Sequence, residues 1–303
     1  MVDPSRRCNA EEATCPRREC FLAAGVYHLL RPTPNTAEDL RTCPPACDRE
    51  VAQVSSRWKV TAIVSAFKAE RFLKGCLDDL EAQSIADRLE IIVINSGSPQ
   101  GEHAIVTEYM QRYDNIVYIR TPWTEGLYAA WNRAVLMAGG EYLTSANTDD
   151  RHRRDALEVL SGSLDDHPRA CLAYAGYRIT LAENETFDDN TSTEAFMPAP
   201  YNRRMLQRGY CFPGSQPMWR RALHDEFGLF DESYQSAGDL EFWLRVSKPR
   251  GLARLQSNWR RDRFLLVPET LGLYLKSPDS VEHSNPAAQQ EASRAMARYR
   301  WSE

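Results

Sequence analysis

Two hydrophobic textures alternate along residues 58–180. Short runs of apolar, largely β-branched residues, Lys59–Ser65 (KVTAIVS) and Glu90–Ile94 (EIIVI), read as strands buried on both faces. Between them Phe72, Cys76, Leu77 and Leu80 recur at helical spacing, which predicts a helix within 69–82. The pattern continues with helices at about 101–112 and 126–138, strands over 116–119 and 141–145, helix 154–164 and strand 171–179. Strands and helices joined by short connections predict an α/β fold, a mostly parallel sheet covered by helices. Ligands of such sheets bind beyond the carboxyl ends of the strands, so the residues just after each strand are the functional candidates.

Elsewhere the pattern is less regular. Residues 182–210, rich in Glu, Asp, Asn and Thr, predict a long loop of the kind that serves as a lid or acceptor-binding element. Helix 238–247 carries Leu240, Trp243, Leu244 and Val246 on one side; 263–267 and 271–276 read as strands, and 286–303 holds a polar C-terminal helix. Residues 1–57 differ in composition. Five of the eight cysteines (Cys8, Cys15, Cys20, Cys43 and Cys47) fall there among prolines, with short helices expected at 18–30 and 36–52. Their spacings lack the paired C-x2-C of a zinc ribbon, and reduced thiols in a small helical extension are expected. The chain thus divides into an extension, 1–57, and one domain, 58–303.

Composition narrows the setting. The 303 residues are 43% hydrophobic and 26% charged with a net charge of −5, so no basic footprint points to nucleic acid. The longest apolar stretch, Phe21–Leu30, falls well short of the roughly 18 residues of a membrane span. A cytoplasmic protein is expected, at most peripheral to the inner face of a membrane.

The strand ends concentrate the chemistry. The first closes in Ser65–Glu70 (SAFKAE), the second in Asn95–Ser98 (NSGS), the fourth in Ala146–Asp150 (ANTDD). A carboxylate in the last place can hold Mg2+ or Mn2+ against a diphosphate. Paired acids before a helix also serve as plain caps.

Taken in order, Val60–Leu80, EIIVINSGS, GLYAAWNRA, GEYLTSANTDD and GDLEFWLR resemble the family 2 glycosyltransferases of the GT-A fold, over about 58–280. The resemblance implies donor contacts at Ala66, Phe67, Glu70, Asn95, Ser96, Asn132, Asn147 and Thr148. It implies a Mn2+ or Mg2+ site at Asp149 and Asp150, with His283 as a further candidate ligand, and a general base at Asp239. Phe212–Trp219 falls where acceptor contacts are expected, which singles out Gln216, Trp219 and Arg220. The implied reaction is inverting transfer of a sugar from a UDP or dTDP donor to a hydroxyl of a glycan or lipid-linked acceptor, in surface polysaccharide assembly.

Several positions depart from the family pattern. Asn95 and Asn147 stand where acids are usual, Gly238 replaces the first of an acidic pair, and Trp131 replaces an arginine. Phosphate charge would then fall to the cation or to Arg203 or Arg204 of the lid. Arg151–Arg154 reads as a solvated helix start. Two other readings are a sugar nucleotidyltransferase, for which the Gly-rich basic opening loop is missing, and a non-catalytic nucleotide-sugar or glycan-binding module.

Overall fold

The computed structural model describes residues 57–248, 263–277 and 287–300. The N-terminal helices, the five N-terminal cysteines and His283 lie outside the described residues. Strands β1 (Val60–Ala66), β2 (Leu89–Asn95), β3 (Ile116–Arg120) and β4 (Tyr142–Ser145) alternate with helices α1 (Glu70–Glu81), α2 (Glu102–Met110) and α3 (Leu127–Met137). Next come β5 (Arg151–His152), α4 (Ala156–Asp166), β6 (Leu172–Thr180), β7 (Glu194–Phe196), α5 (Arg203–Leu206) and β8 (Met218–Arg220). The remaining elements are α6 (Leu223–Phe227), α7 (Gly238–Ser247), β9 (Phe264–Leu275) and α8 (Ala288–Arg298).

All of β2 and all but one residue of β1 are buried, as continuous apolar runs require of strands covered on both faces. Their alternation sorts side chains into two layers. Val60, Ala62 and Val64 face Leu73 and Leu77 of α1, Val106 of α2 and Leu157 of α4. Ile63, Ile92 and Ile94 belong to the other layer, with Ala134 of α3, Trp243 of α7 and Ala295 of α8.

The strands form one sheet in the order β3-β2-β1-β4-β8-β6-β9-β5, with β7 added on β6. β3, β2, β1 and β4 run parallel, as do β6 and β9; β8 runs antiparallel to both its neighbours. Register pairs Ala66 with Asn95 and Ile63 with Ser145, so the carboxyl ends of β1, β2 and β4 open on one edge.

Three features differ from the sequence pattern. β8 lies inside the expected acceptor stretch, too short at three residues to show a period. The two strands expected near 263–276 are one, β9, whose pairing with β6 slips where Val267 opposes Ala175 and Thr270 opposes Gly176. Pro268, with no N–H to give a ladder, falls in that slip. The end of the expected lid is core: Leu206 is fully buried, as is Phe212 just beyond the lid, and the Tyr201 ring lies 4.5 Å from that of Phe264. Among the described residues no helix is long and apolar enough to cross a membrane.

Candidate active site

The turn after β1 is built by the turn after β2. Ser96 donates its N–H to the Ala66 carbonyl at 3.1 Å. Lys68, held in the left-handed region at φ 54°, donates its N–H to Ser98 Oγ, and Ala69 donates to Glu102 Oε1 at 2.7 Å. Ser98 Oγ closes the ring by donating to the same Glu102 oxygen. Glu70 accepts the Gly101 N–H at the start of α2. Phe67 is thereby left 42% exposed at the sheet edge, an apolar face open to a planar group.

Asn95 does not present its amide to solvent. It is fully buried, donates Nδ2 to Tyr118 Oη at 3.1 Å and accepts the Ser98 N–H on Oδ1, which makes it the builder of the turn. Gly97 completes that turn at φ +64°, where an added Cβ would lie 2.6 Å from the Trp123 carbonyl carbon. Trp123 itself is 47% exposed after β3, a second open aromatic that the sequence patterns did not single out.

The acidic loop after β4 separates its two carboxylates. Asp149 is half-buried. Burial raises its pKa, opposed by its own backbone N–H and by the charges of Arg151 and Arg71. Asp150 is 2% exposed with both oxygens engaged: Oδ1 accepts the Leu275 N–H of β9 at 3.1 Å, and Oδ2 accepts Asn147 Nδ2 at 3.0 Å. Burial first, and then the charge of Asp149, pushes its pKa up to about 7. Asp150 is therefore a brace for the loop, whereas Asp149 is the carboxylate left at the edge.

Beneath the loop sits Arg151, 3% exposed. Its guanidinium donates to the Thr148 and Asp150 carbonyls at 2.8 and 2.6 Å, to Asn184 Oδ1 at 3.2 Å and to the Phe72 carbonyl at 3.5 Å. His152, 4% exposed, joins Asp79 of α1 through its N–H and its ring Nδ1. The first half of the run expected as a solvated helix start is thus β5 and buried, with Arg151 turned inward to the carbonyls of the acidic loop and His152 to Asp79, while Arg154 is exposed as expected.

Asp239 stands in the first turn of α7, half-buried. The Tyr128 hydroxyl of α3 lies 2.9 Å from the Ser236 carbonyl and 3.2 Å from Asp239 Oδ1, sharing its one proton between them. Cys211 Sγ lies 3.9 Å from Asp239 Oδ2. Gly238 explains itself here: a Cβ would fall 2.6 Å from the Tyr128 ring. The segment that begins at Cys211 continues to Ser215, whose carbonyl accepts Ser145 Oγ, and to Gln216, whose Nε2 donates to the Arg151 carbonyl at 2.9 Å. One stretch of six residues thus runs from Asp239 to the acidic loop.

Other expected contacts do not reach this edge. Asn132 is 4% exposed and fully used on the segment before α7, donating to the Phe230 carbonyl and Glu232 and accepting the Phe230 N–H. Trp219 is fully buried among the rings of Trp131 and Trp243, with no face for an acceptor. Arg220 donates to the Ala170 and Leu164 carbonyls and to Tyr142 Oη, a tie between strands and α4. Arg203 is half-buried and Arg204 exposed on α5.

A parallel sheet with a carboxylate loop at its carboxyl edge and a second acid on a facing helix defines the class. The profile described as Glycosyl transferase family 2 matches residues 61–227, more than half of the chain, and the chain belongs to that family. Glycosyltransferase GlyA of Streptococcus pneumoniae is 31% identical over 119 residues, 39% of this chain and 17% of that protein. Glycosyltransferase EpsJ of Bacillus subtilis is 23% identical over 227 residues, 73% of this chain and 62% of that protein. The chain therefore spans less than two thirds of either relative. Among solved structures, S. aureus TarS in complex with UDP-GlcNAc aligns over 80% of this chain and 66% of that one, with a TM-score of 0.60 and 18% identity. The mannosyltransferase PcManGT from Pyrobaculum calidifontis, in complex with GDP-Man and Mn2+, aligns over 75% and 60% at TM-score 0.54 and 17% identity. At such identities the likeness is one of fold, the GT-A fold.

Proposed function

We propose that the chain is an inverting, divalent-metal-dependent glycosyltransferase that moves a sugar from a UDP or dTDP donor to a hydroxyl of a glycan or lipid-linked acceptor. The observation that carries this reading is that one segment, 211–216, meets both acidic elements: Cys211 Sγ lies 3.9 Å from Asp239 Oδ2 at the start of α7, and the Ser215 and Gln216 contacts to Ser145 and Arg151 flank the loop that carries Asp149. Asp149 and Asp239 are the two acids of this edge that remain half-buried rather than sealed.

Among the described residues no three His, Cys, Asp or Glu side chains cluster as a metal cage. The half-buried carboxylate of Asp149 fits a hard cation that arrives with a diphosphate, since Mg2+ sites of this kind use one or two carboxylates and complete the shell with phosphate oxygens and water. Asp149 would hold it, with the loop braced by Asp150 and Arg151. When bound, the cation neutralises the charge that develops on the departing diphosphate.

The remaining work falls to the chain. Phe67 offers a stacking face to the base, and the interlocked turns after β1 and β2 shape its surroundings. An ionised Asp239 accepts the proton of the attacking hydroxyl as the bond to the anomeric carbon forms on the face opposite the diphosphate. Tyr128, donating to Asp239 Oδ1, orients the carboxylate for this step, with Oδ2 on the side of Cys211 Sγ.

The test separates the two acids. Asp239→Asn is expected to abolish transfer while UDP affinity in Mn2+ stays within about twofold, as loss of a group that acts only in the transition state requires. Asp149→Ala is expected to weaken Mn2+-dependent UDP binding. Loss of UDP binding in both variants would overturn the division of roles.

A further inference from the structure

α8 lays one polar stripe along the segment that leads into α7. Glu291, Arg294, Arg298 and Tyr299 share a face of the helix by their spacing; the first three reach this segment and Tyr299 reaches α7 itself. Glu291, 9% exposed, accepts the N–H groups of Gln235 at 3.0 Å, Ser236 at 2.8 Å and Ala237 at 3.1 Å. Arg294 donates to the Ser233 carbonyl at 3.0 Å and lies 3.9 Å over the Tyr234 ring. Arg298 pairs with Asp231 at 2.8 Å, and the Tyr299 hydroxyl donates to Glu241 of α7.

The three amides held by Glu291 precede α7, where a helix start leaves backbone donors without partners of its own. α7 has no cap from its own side chains: its N-cap is Ala237. The carboxylate of a helix more than 50 positions later in the chain takes that place, and its charge complements the positive end of the helix dipole. Asp239 is two residues beyond the last of these amides. Its carboxylate is steered from one side by Tyr128, and its backbone is anchored from the other by Glu291.

We propose that Glu291 is a positioning residue for the transfer reaction, and that α8 acts as the clamp that sets the carboxylate of Asp239 against the acceptor hydroxyl. The proposal rests on the reading of Asp239 as the general base. Freeing three amides at once lets the turn before α7 relax, and a misplacement of about 1 Å in a catalytic group costs on the order of 100-fold in rate.

The experiment uses the full chain with Glu291→Ala, Glu291→Gln and, as reference, Asp239→Asn. It reads the thermal midpoint, the Kd for UDP with Mn2+ by calorimetry, and kcat and KM for nucleoside diphosphate release. The substrate is whichever of a panel of UDP-, dTDP- and GDP-sugars turns over. Glu291→Ala should lower kcat about 10- to 100-fold, and Glu291→Gln, which keeps the shape and one acceptor oxygen, about 3- to 10-fold. UDP Kd and donor KM should stay within about twofold in both. If the alanine variant does not fold, the kcat of the glutamine variant decides. A folded Glu291 variant with unchanged kcat, or one that loses only KM, overturns the clamp while Asp239→Asn still abolishes turnover. Turnover that survives Asp239→Asn, or its absence in the unmodified chain, overturns the general-base reading instead.

Discussion

Arg151→Met should destabilise the protein and loosen the loop that presents Asp149. Methionine fills the space of the arginine stem, so the main loss is the guanidinium and its contacts rather than a cavity. Two of those contacts, at 2.8 and 2.6 Å, go to carbonyls of the acidic loop itself, and two longer ones reach Asn184 and Phe72. A buried acceptor stripped of its donor costs about 1–3 kcal/mol, and the loss of a buried charge beside Asp149 and Asp150 adds to this. The expected sum is about 3–5 kcal/mol, the range found when one partner of a buried charged group is removed. Arg151→Lys keeps the charge but not the fork, so it should lose about half as much. Gly75 supplies an independent handle: its Cβ would sit 2.3 Å from the guanidinium, and Gly75→Ala should displace the same group from above. Urea unfolding at constant m-value gives the stability, and calorimetry of UDP with Mn2+ gives the consequence for the site. The exposed Arg57–Asp114 pair is the control, with Arg57→Ala expected to cost under about 1 kcal/mol. If Arg151→Met costs no more than that control and leaves UDP affinity unchanged, the loop does not depend on Arg151.

Two further outcomes follow from the second core layer. Trp219 Nε1 donates to His224 Nε2 at 3.0 Å, and burial pushes the His224 pKa down to about 4. The unfolded chain, with an ordinary imidazole near 6.5, binds this proton more readily, so stability is full above about pH 6.5 and falls by about 3 kcal/mol on approach to pH 4. His224→Gln, which keeps an acceptor for Trp219, should remove that slope in urea unfolding between pH 4.5 and 7.5; an unchanged slope would assign it elsewhere. Trp219→Ala should cost about 3–5 kcal/mol as a large buried deletion, whereas Trp219→Phe should fold and leave acceptor KM unaltered. A raised acceptor KM in folded Trp219→Phe would return the indole to the site.

The first four strands and the helices between them are legible in the sequence because burial on both faces leaves uninterrupted apolar runs such as EIIVI, which few other contexts tolerate. β8 escapes because three residues between two strands carry no measurable period, although Met218 and Trp219 are wholly buried. The strand-end rule marks the acidic loop but not what supports it. Arg151 and His152 stand in a run of four basic residues, and only the loop carbonyls that Arg151 serves and the Asp79 carboxylate that His152 meets turn them inward. Asn132 is misread for a related reason: an amide can equally face a ligand or pin a neighbouring loop, and the pairing with Phe230 spans 98 positions. Glu291 lies in a helix that reads only as polar, and nothing in that texture singles out the one carboxylate that takes the three amides before α7.

Three of the departures from the family pattern share one physical logic: each uncharged replacement suits the charge and packing already around it. At position 147 an aspartate would bring a carboxylate oxygen to about 3 Å from the buried Asp150, whereas Asn147 donates an N–H to that same oxygen. Asn95 donates to Tyr118 Oη from a fully buried place, where a carboxylate would carry an unpaired charge out of water. Gly238 leaves room for the Tyr128 ring, which brings its hydroxyl to Asp239. Asp149 and Asp239 remain, each at the end of an element braced by buried donors. Asn147 is bonded to Asp150, which braces the loop that carries Asp149, and Gly238 packs against Tyr128, whose hydroxyl reaches Asp239, so two of the three replacements support the acids that remain.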